Sequence, residues 1–194
     1  MSDLTLSCQC GTVTGVVQHV TQWSCTRLVC YCSDCQAFAN ELDAADRVLN
    51  EHGGTEIIQV APSRVMFTQG HEHIACLQFS EKGAFRWYTK CCNTPIGNTA
   101  KPSVPFIGLI GNFIKLESAT QKAQIGPVRS HCQTQHAAKN WPSDQKRNGY
   151  PLGLTMRMMA FIIGWKMRGK GKENPLFTTA GDPIIPPHQS VSKS

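Results

Sequence analysis

Three thiols fall within six residues, at Cys30, Cys32 and Cys35. A C-x-C-x-x-C run brings its sulfurs within reach of one soft cation, and thiolates in tetrahedral arrangement select zinc. Three protein ligands leave a fourth position free, which is what separates catalytic from structural zinc, and the run by itself leaves both uses open. A thiol pair at Cys8 and Cys10 precedes it, and another at Cys91 and Cys92 follows. Hairpin turns at one end of a sheet become neighbours, so the first and last pairs can share one ion while the middle run holds a second. Cys25, Cys76 and Cys132 have no partner motif, and core packing suits Cys76 among its apolar neighbours. His71-Glu72-His73 has no third ligand nearby in sequence and reads as a solvated turn, while His131 and His136 read as surface residues.

Ten cysteines suit either a disulfide framework or metal binding. The first residues, Met1-Ser2-Asp3-Leu4, carry neither a basic segment nor an apolar one, so the reading is a cytoplasmic, reducing setting in which clustered cysteines ligate metal. No apolar run approaches the roughly 18 to 20 residues of a membrane span. The net charge of +6 comes largely from Arg157, Lys166, Arg168, Lys170 and Lys172, a local excess that disfavours nucleic acid as a partner of the whole chain.

The elements that must position the thiols read as mainly β. Residues 4–20 alternate with period two around Gly11, a hairpin that carries Cys8 and Cys10 at its turn. A short strand at 27–30 delivers the central run, and Ser33 with Gln36 has the spacing of a capping box that starts a helix continuing over 37–49. Cys35 then sits in the first helical turn, where amide donors favour thiolate. Strands are expected at 56–60, 64–68, 74–79, 84–88 and, interrupted by Gly108 and Gly111, at 104–116. The division is a β domain over 1–118, a helical extension over 119–173 with a Met-rich helix at 152–170, and a loose Pro- and Ser-rich tail over 174–194.

C-x-C-G at Cys8 to Gly11, C-x-C-S-D-C-Q at Cys30 to Gln36 and C-x-T-P-x-G at Cys92 to Gly97 together resemble the glutathione-dependent formaldehyde-activating enzyme family, which includes centromere protein V relatives. The resemblance spans residues 4 to about 116. It implies an Mss4-like fold of zinc-stapled antiparallel sheets, a structural zinc on the C-x-C pair plus a late C-x-x-C, and an open zinc on C-x-C-x-x-C. In the namesake the open zinc meets the glutathione thiol, and the reaction forms or cleaves S-hydroxymethylglutathione. The late motif departs from the family pattern, because Thr89 stands where the first cysteine of F-C-x-x-C-G-T-P is expected. Cys91 is the substitute at hand, although adjacent side chains diverge on extended backbone.

A zinc on three thiolates carries a formal negative charge, which makes it a poor Lewis acid for water but leaves it able to bind a substrate thiolate. The expected chemistry is therefore on thiol adducts rather than peptide or phosphate hydrolysis, and the resemblance implies carbon–sulfur lyase or carrier activity on a small adduct such as a glutathione conjugate. Catalytic roles fall to Cys30, Cys32 and Cys35, with Asp34 and Gln36 orienting the substrate, one or two Zn2+ as cofactor, and Cys8, Cys10, Cys91 and Cys92 on the structural ion. The alternative is a non-catalytic, zinc-stabilised binding module. In that reading the basic C-terminal helix recruits a protein, membrane or nucleic-acid partner. The Met-rich segment itself reads as a core or homodimer helix, with peripheral contact of residues 154–172 on an anionic membrane as the other use.

Overall fold

The computed structural model describes residues 3–138, 140–170 and 173–190, so that Lys172 of the basic cluster and the ends of the chain lie outside the described residues. In chain order the strands are β1 (Leu4–Ser7), β2 (Thr14–Val17), β3 (Thr26–Cys30), β4 (Thr55–Val60), β5 (Val65–Gln69), β6 (Ile74–Gln78), β7 (Phe85–Thr89), β8 (Pro95–Thr99), β9 (Ile107–Ile110), β10 (Ile114–Lys115), β11 (Ser130–Cys132) and β12 (His188–Gln189). The helices are α1 (Ser33–Glu41), α2 (Ala45–Val48), α3 (Ala119–Ile125) and α4 (Leu152–Met167). Two sheets form, ordered β10-β1-β2-β5 and β11-β3-β4-β9-β8-β7-β6-β12. Pairing is antiparallel except at the ends of the larger sheet, where β11 runs parallel to β3 and β12 parallel to β6.

Alternation along the strands of the larger sheet sends side chains to two different interiors. Ile58, Val60, Ile107, Leu109 and Trp87 join Leu4, Leu6 and Val17 of the smaller sheet in the main core. Trp87 is fully buried and donates its indole N–H to Thr99 Oγ1 at 2.9 Å, which removes the cost of burying that group. On the opposite face Leu28, Cys30, Ile57 and Ile110 pack with Leu154 of α4. The larger sheet therefore lies between the smaller sheet and a helical cover.

Several expectations are corrected. The helix expected over 37–49 stops at Glu41, because the chain turns at Asp43 in the left-handed region (φ +49°), and a separate short turn of helix follows at α2. Ser33 does not cap α1; Cys32 is the N-cap, with no side-chain bond, and Gln36 instead donates to the carbonyls of Tyr31 and His136 at 2.8 and 3.0 Å. A true capping box occurs at Ser118 and Gln121, heading α3. The segment expected as a loose tail contributes Leu176 and Phe177 to the core, Phe177 meeting Phe85 and Trp87 edge-on. Strand β8 was not anticipated.

Candidate metal centres and their cavity

Cys8, Cys10, Cys91 and Cys92 place their Sγ atoms within 4.8 Å of one another. The hairpin turn after β1 supplies the first two, and the turn joining β7 to β8 supplies the others. Four sulfurs each 2.3 Å from one zinc lie about 3.8 Å apart. The observed separations are 3.6 Å for Cys8–Cys10, 3.9 Å for Cys8–Cys91, 3.4 Å for Cys10–Cys91 and 3.8 Å for Cys91–Cys92. The donor set and its spacing fit a zinc ion.

Adjacent Cys91 and Cys92 converge because the backbone there is a tight turn. Asn93 adopts φ +52° and returns its N–H to the Thr89 carbonyl at 2.9 Å, so the divergence expected of extended backbone does not apply. Thr89, at the position of the missing cysteine, holds the turn: its Oγ1 accepts from Thr94 N at 3.1 Å and lies 3.5 Å from Cys92 Sγ. Against the opposing effect of burial, hydrogen bonds from Thr89 and Thr94 bring the Cys92 thiol down to about 5. Burial and its contact with Cys10 push Cys91 up to about 12. Val13 N donates to Cys8 Sγ at 3.2 Å, and such donors around a ligand sulfur hold it in place.

The second group is Cys30, Cys32 and Cys35, also within 4.8 Å. Cys30 ends β3, Cys32 caps α1, and Cys35 lies in the first helical turn, its N–H donating to the Cys32 carbonyl at 3.1 Å. Three thiols this close do not all ionise without a cation. Hydrogen bonds from Cys30 and Cys35 drive Cys32 well down, while Cys132 and Cys32 push Cys30 up and Cys30 and Cys32 push Cys35 up. These two groups can hold metal ions, and both suit zinc.

The three-sulfur group opens onto a cavity of about 190 Å³ lined by Leu28, Ile57, Phe106 and Met158 and by the polar side chains of Gln59, Arg86, Asn98 and Tyr150. Asp34, between Cys32 and Cys35 in sequence, accepts from Arg86 Nη2 at 3.2 Å. Gln36 directs its amide to the two loop carbonyls already named.

Sequence reasoning left Cys132 without a partner motif and gave no site role to Arg86, Gln59, Asn98 and Tyr150. Cys132 sits opposite Cys30 in the β11–β3 register, with its thiol 3.5 Å from the Val29 carbonyl. Polar Gln59 and Arg86 inside otherwise apolar strands were the available signal. His71–His73 forms a 3-10 turn, and His131 lies 3.1 Å from the Tyr31 hydroxyl, away from both thiol groups.

Among the described residues no helix is long and apolar enough to cross a membrane. Among curated proteins none matches the chain. A crystal structure of a Rhodobacter sphaeroides protein is similar at 16% identity with a TM-score of 0.46, over 66% of this chain and 98% of that one. The profile of a family of unknown function (DUF6151) matches residues 1–186, and the chain belongs to that family.

Proposed function

We propose that the protein is a zinc-dependent thiol-adduct protein, acting as a carbon–sulfur lyase or carrier on adducts of the S-hydroxymethylglutathione type, as its resemblance to glutathione-dependent formaldehyde-activating enzymes implies. The observation that carries this reading is the asymmetry of the two thiol groups. One has four sulfurs, enough to complete a tetrahedron, and the other has three sulfurs facing a cavity. Zinc at the three-sulfur group supplies a seat for a substrate thiolate. Cys30, Cys32 and Cys35 hold that seat, β3 and the head of α1 fix their spacing, and Leu28, Ile57 and Met158 keep the cavity wall apolar so that water is displaced. Asp34 acts through Arg86, which it anchors at the cavity.

The test uses zinc-loaded protein and the adduct that forms from formaldehyde and glutathione. Cys32→Ser is expected to keep the circular dichroism of the wild type while losing adduct binding in calorimetry. Unchanged binding by a folded Cys32→Ser protein contradicts the reading.

One observation favours the alternative of a binding module. Leu152, Met156, Met159, Ile163 and Met167 form an exposed stripe on α4, at spacings of three and four residues, ahead of Arg168 and Lys170. Such a stripe suits a partner helix, a second copy or an anionic membrane surface. Under that reading Cys32→Ser leaves partner binding intact and no thiol binds.

A further inference from the structure

The wall of the cavity facing the thiols contains a line of buried polar groups that the fold alone does not explain. Across adjacent strands β7, β8, β9, β4 and β3, Arg86 stands opposite Asn98, Asn98 opposite Gly108, Gly108 opposite Gln59, and Gln59 opposite Thr26. Thr26, Gln59 and Arg86 are at most 4% exposed. Among the described residues, Arg86 Nη1, both amide atoms of Gln59 and Thr26 Oγ1 have no hydrogen-bond partner. Buried polar groups in native proteins are overwhelmingly satisfied, and each exception calls for a reason.

A purely structural role accounts for part of Arg86. Its guanidinium lies over Phe38 and Phe79, 5.6 and 5.5 Å from the ring centroids, and Nη2 donates to Asp34, which ties β7 to α1. That leaves Nη1 free and gives no reason for Gln59. The gap beside these groups is kept by Gly108, where an added Cβ would come 2.6 Å from Asn98 Oδ1. A side chain there would fill the space between Asn98 and Gln59.

We infer that this row is the recognition face for a carboxylate, and that the site takes small mercaptocarboxylates. The thiol reaches Cys30, Cys32 and Cys35, and the acid is met by the free Arg86 Nη1, with the Gln59 and Asn98 amides donating beside it. The inference rests on the open three-sulfur reading proposed above and narrows its substrate class. Guanidinium is suited to this task because it is always charged and Nη1 still has protons to donate while Nη2 is held by Asp34. Its positive charge also offsets the negative charge that a substrate thiolate brings to a centre already made of three thiolates. The cavity of about 190 Å³ is below the ~300 to 1,000 Å³ of sites for drug-sized ligands and is open on one side, so it holds a small mercapto acid whole and only the thiol-bearing end of a larger thiol.

The experiment is calorimetric titration of the zinc-loaded full chain at pH 7.5 with 3-mercaptopropionate and with its neutral counterpart, 3-mercaptopropionamide. The acid is expected to bind at least about tenfold more tightly than the amide. Arg86→Gln is expected to abolish that preference while the amide still binds, and Gln59→Leu to reduce it, which keeps a variant test available if Arg86→Gln does not fold. Equal affinity of the wild type for acid and amide overturns the inference and leaves the open thiol site standing. Binding of neither compound overturns both. An undiminished preference in folded Arg86→Gln or Gln59→Leu also overturns the role of the row.

Discussion

The two thiol groups contain the same ligand chemistry in opposite surroundings. Cys8, Cys10, Cys91 and Cys92 come from two hairpin turns far apart in sequence, and their sulfurs already lie at nearly the edge lengths of a zinc tetrahedron. Cys30, Cys32 and Cys35 come from one short stretch and leave one side facing a cavity. A cross-link between distant turns stabilises a fold, because the unfolded chain has no such site and the binding free energy becomes folding free energy. A local group closes almost no loop and contributes little to stability. The difference in sequence separation, together with the missing fourth sulfur, is the basis on which we propose stability for one group and chemistry for the other.

The largest expected effect breaks this comparison at the four-sulfur group. Cys8→Ser or Cys91→Ser should lower stability by ~3 kcal/mol or more, seen as a large fall in Tm, whereas Cys32→Ser should shift it little. Equal losses at the two groups would remove the division of labour.

The next effect concerns thiols belonging to neither group. Burial raises Cys25 to about 11 and Cys76 to about 12, from an ordinary value of 9.0. Their folded pKa values are raised, so their contribution is complete below pH 9 and is lost as pH rises through 11 and 12. In that window the unfolded thiol ionises while the folded one does not, and each thiol should reduce stability by about 1.4 kcal/mol per pH unit. Urea unfolding between pH 8 and 11 measures this, and Cys25→Ala with Cys76→Ala should flatten the slope.

Thr89→Val sharpens the account of the closed site. It removes the hydroxyl that accepts from Thr94 N and lies against Cys92, and should cost about 1 to 3 kcal/mol while speeding zinc loss to a chelator. Gln36→Ala should be the mildest change. Losing its bonds to the Tyr31 and His136 carbonyls should cost about 1 kcal/mol by thermal unfolding and leave thiol affinity unchanged. A fall in thiol affinity would instead place Gln36 at the substrate.

The C-x-C pair, the Cys-Cys pair and the C-x-C-x-x-C run were legible in the sequence because spacing within each is a local property, and so were the strands with period-two alternation. Strand β8 was not, since Pro95, Gly97 and Asn98 are poor strand formers and pairing with β7 and β9 overrides their preferences. The convergence of Cys91 and Cys92 depended on the left-handed turn at Asn93, which composition does not announce. Ser33 and Gln36 matched a capping box, yet Gln36 found tertiary partners instead. The polar row left only a partial trace along the chain, in Gln59 and Arg86 within otherwise apolar strands. Thr26, Gln59, Arg86 and Asn98 come from four strands, and only register brings them into one line.

The most direct test of the two-site account is zinc K-edge absorption spectroscopy on the purified full chain, combined with elemental analysis and repeated on Cys32→Ser. The account predicts two zinc ions per chain, one with four sulfur ligands and one with three sulfurs and a lighter atom. It also predicts that Cys32→Ser disturbs the three-sulfur ion alone. A single zinc, or two zinc ions each bound by four sulfurs with Cys132 recruited beside Cys30, would contradict it.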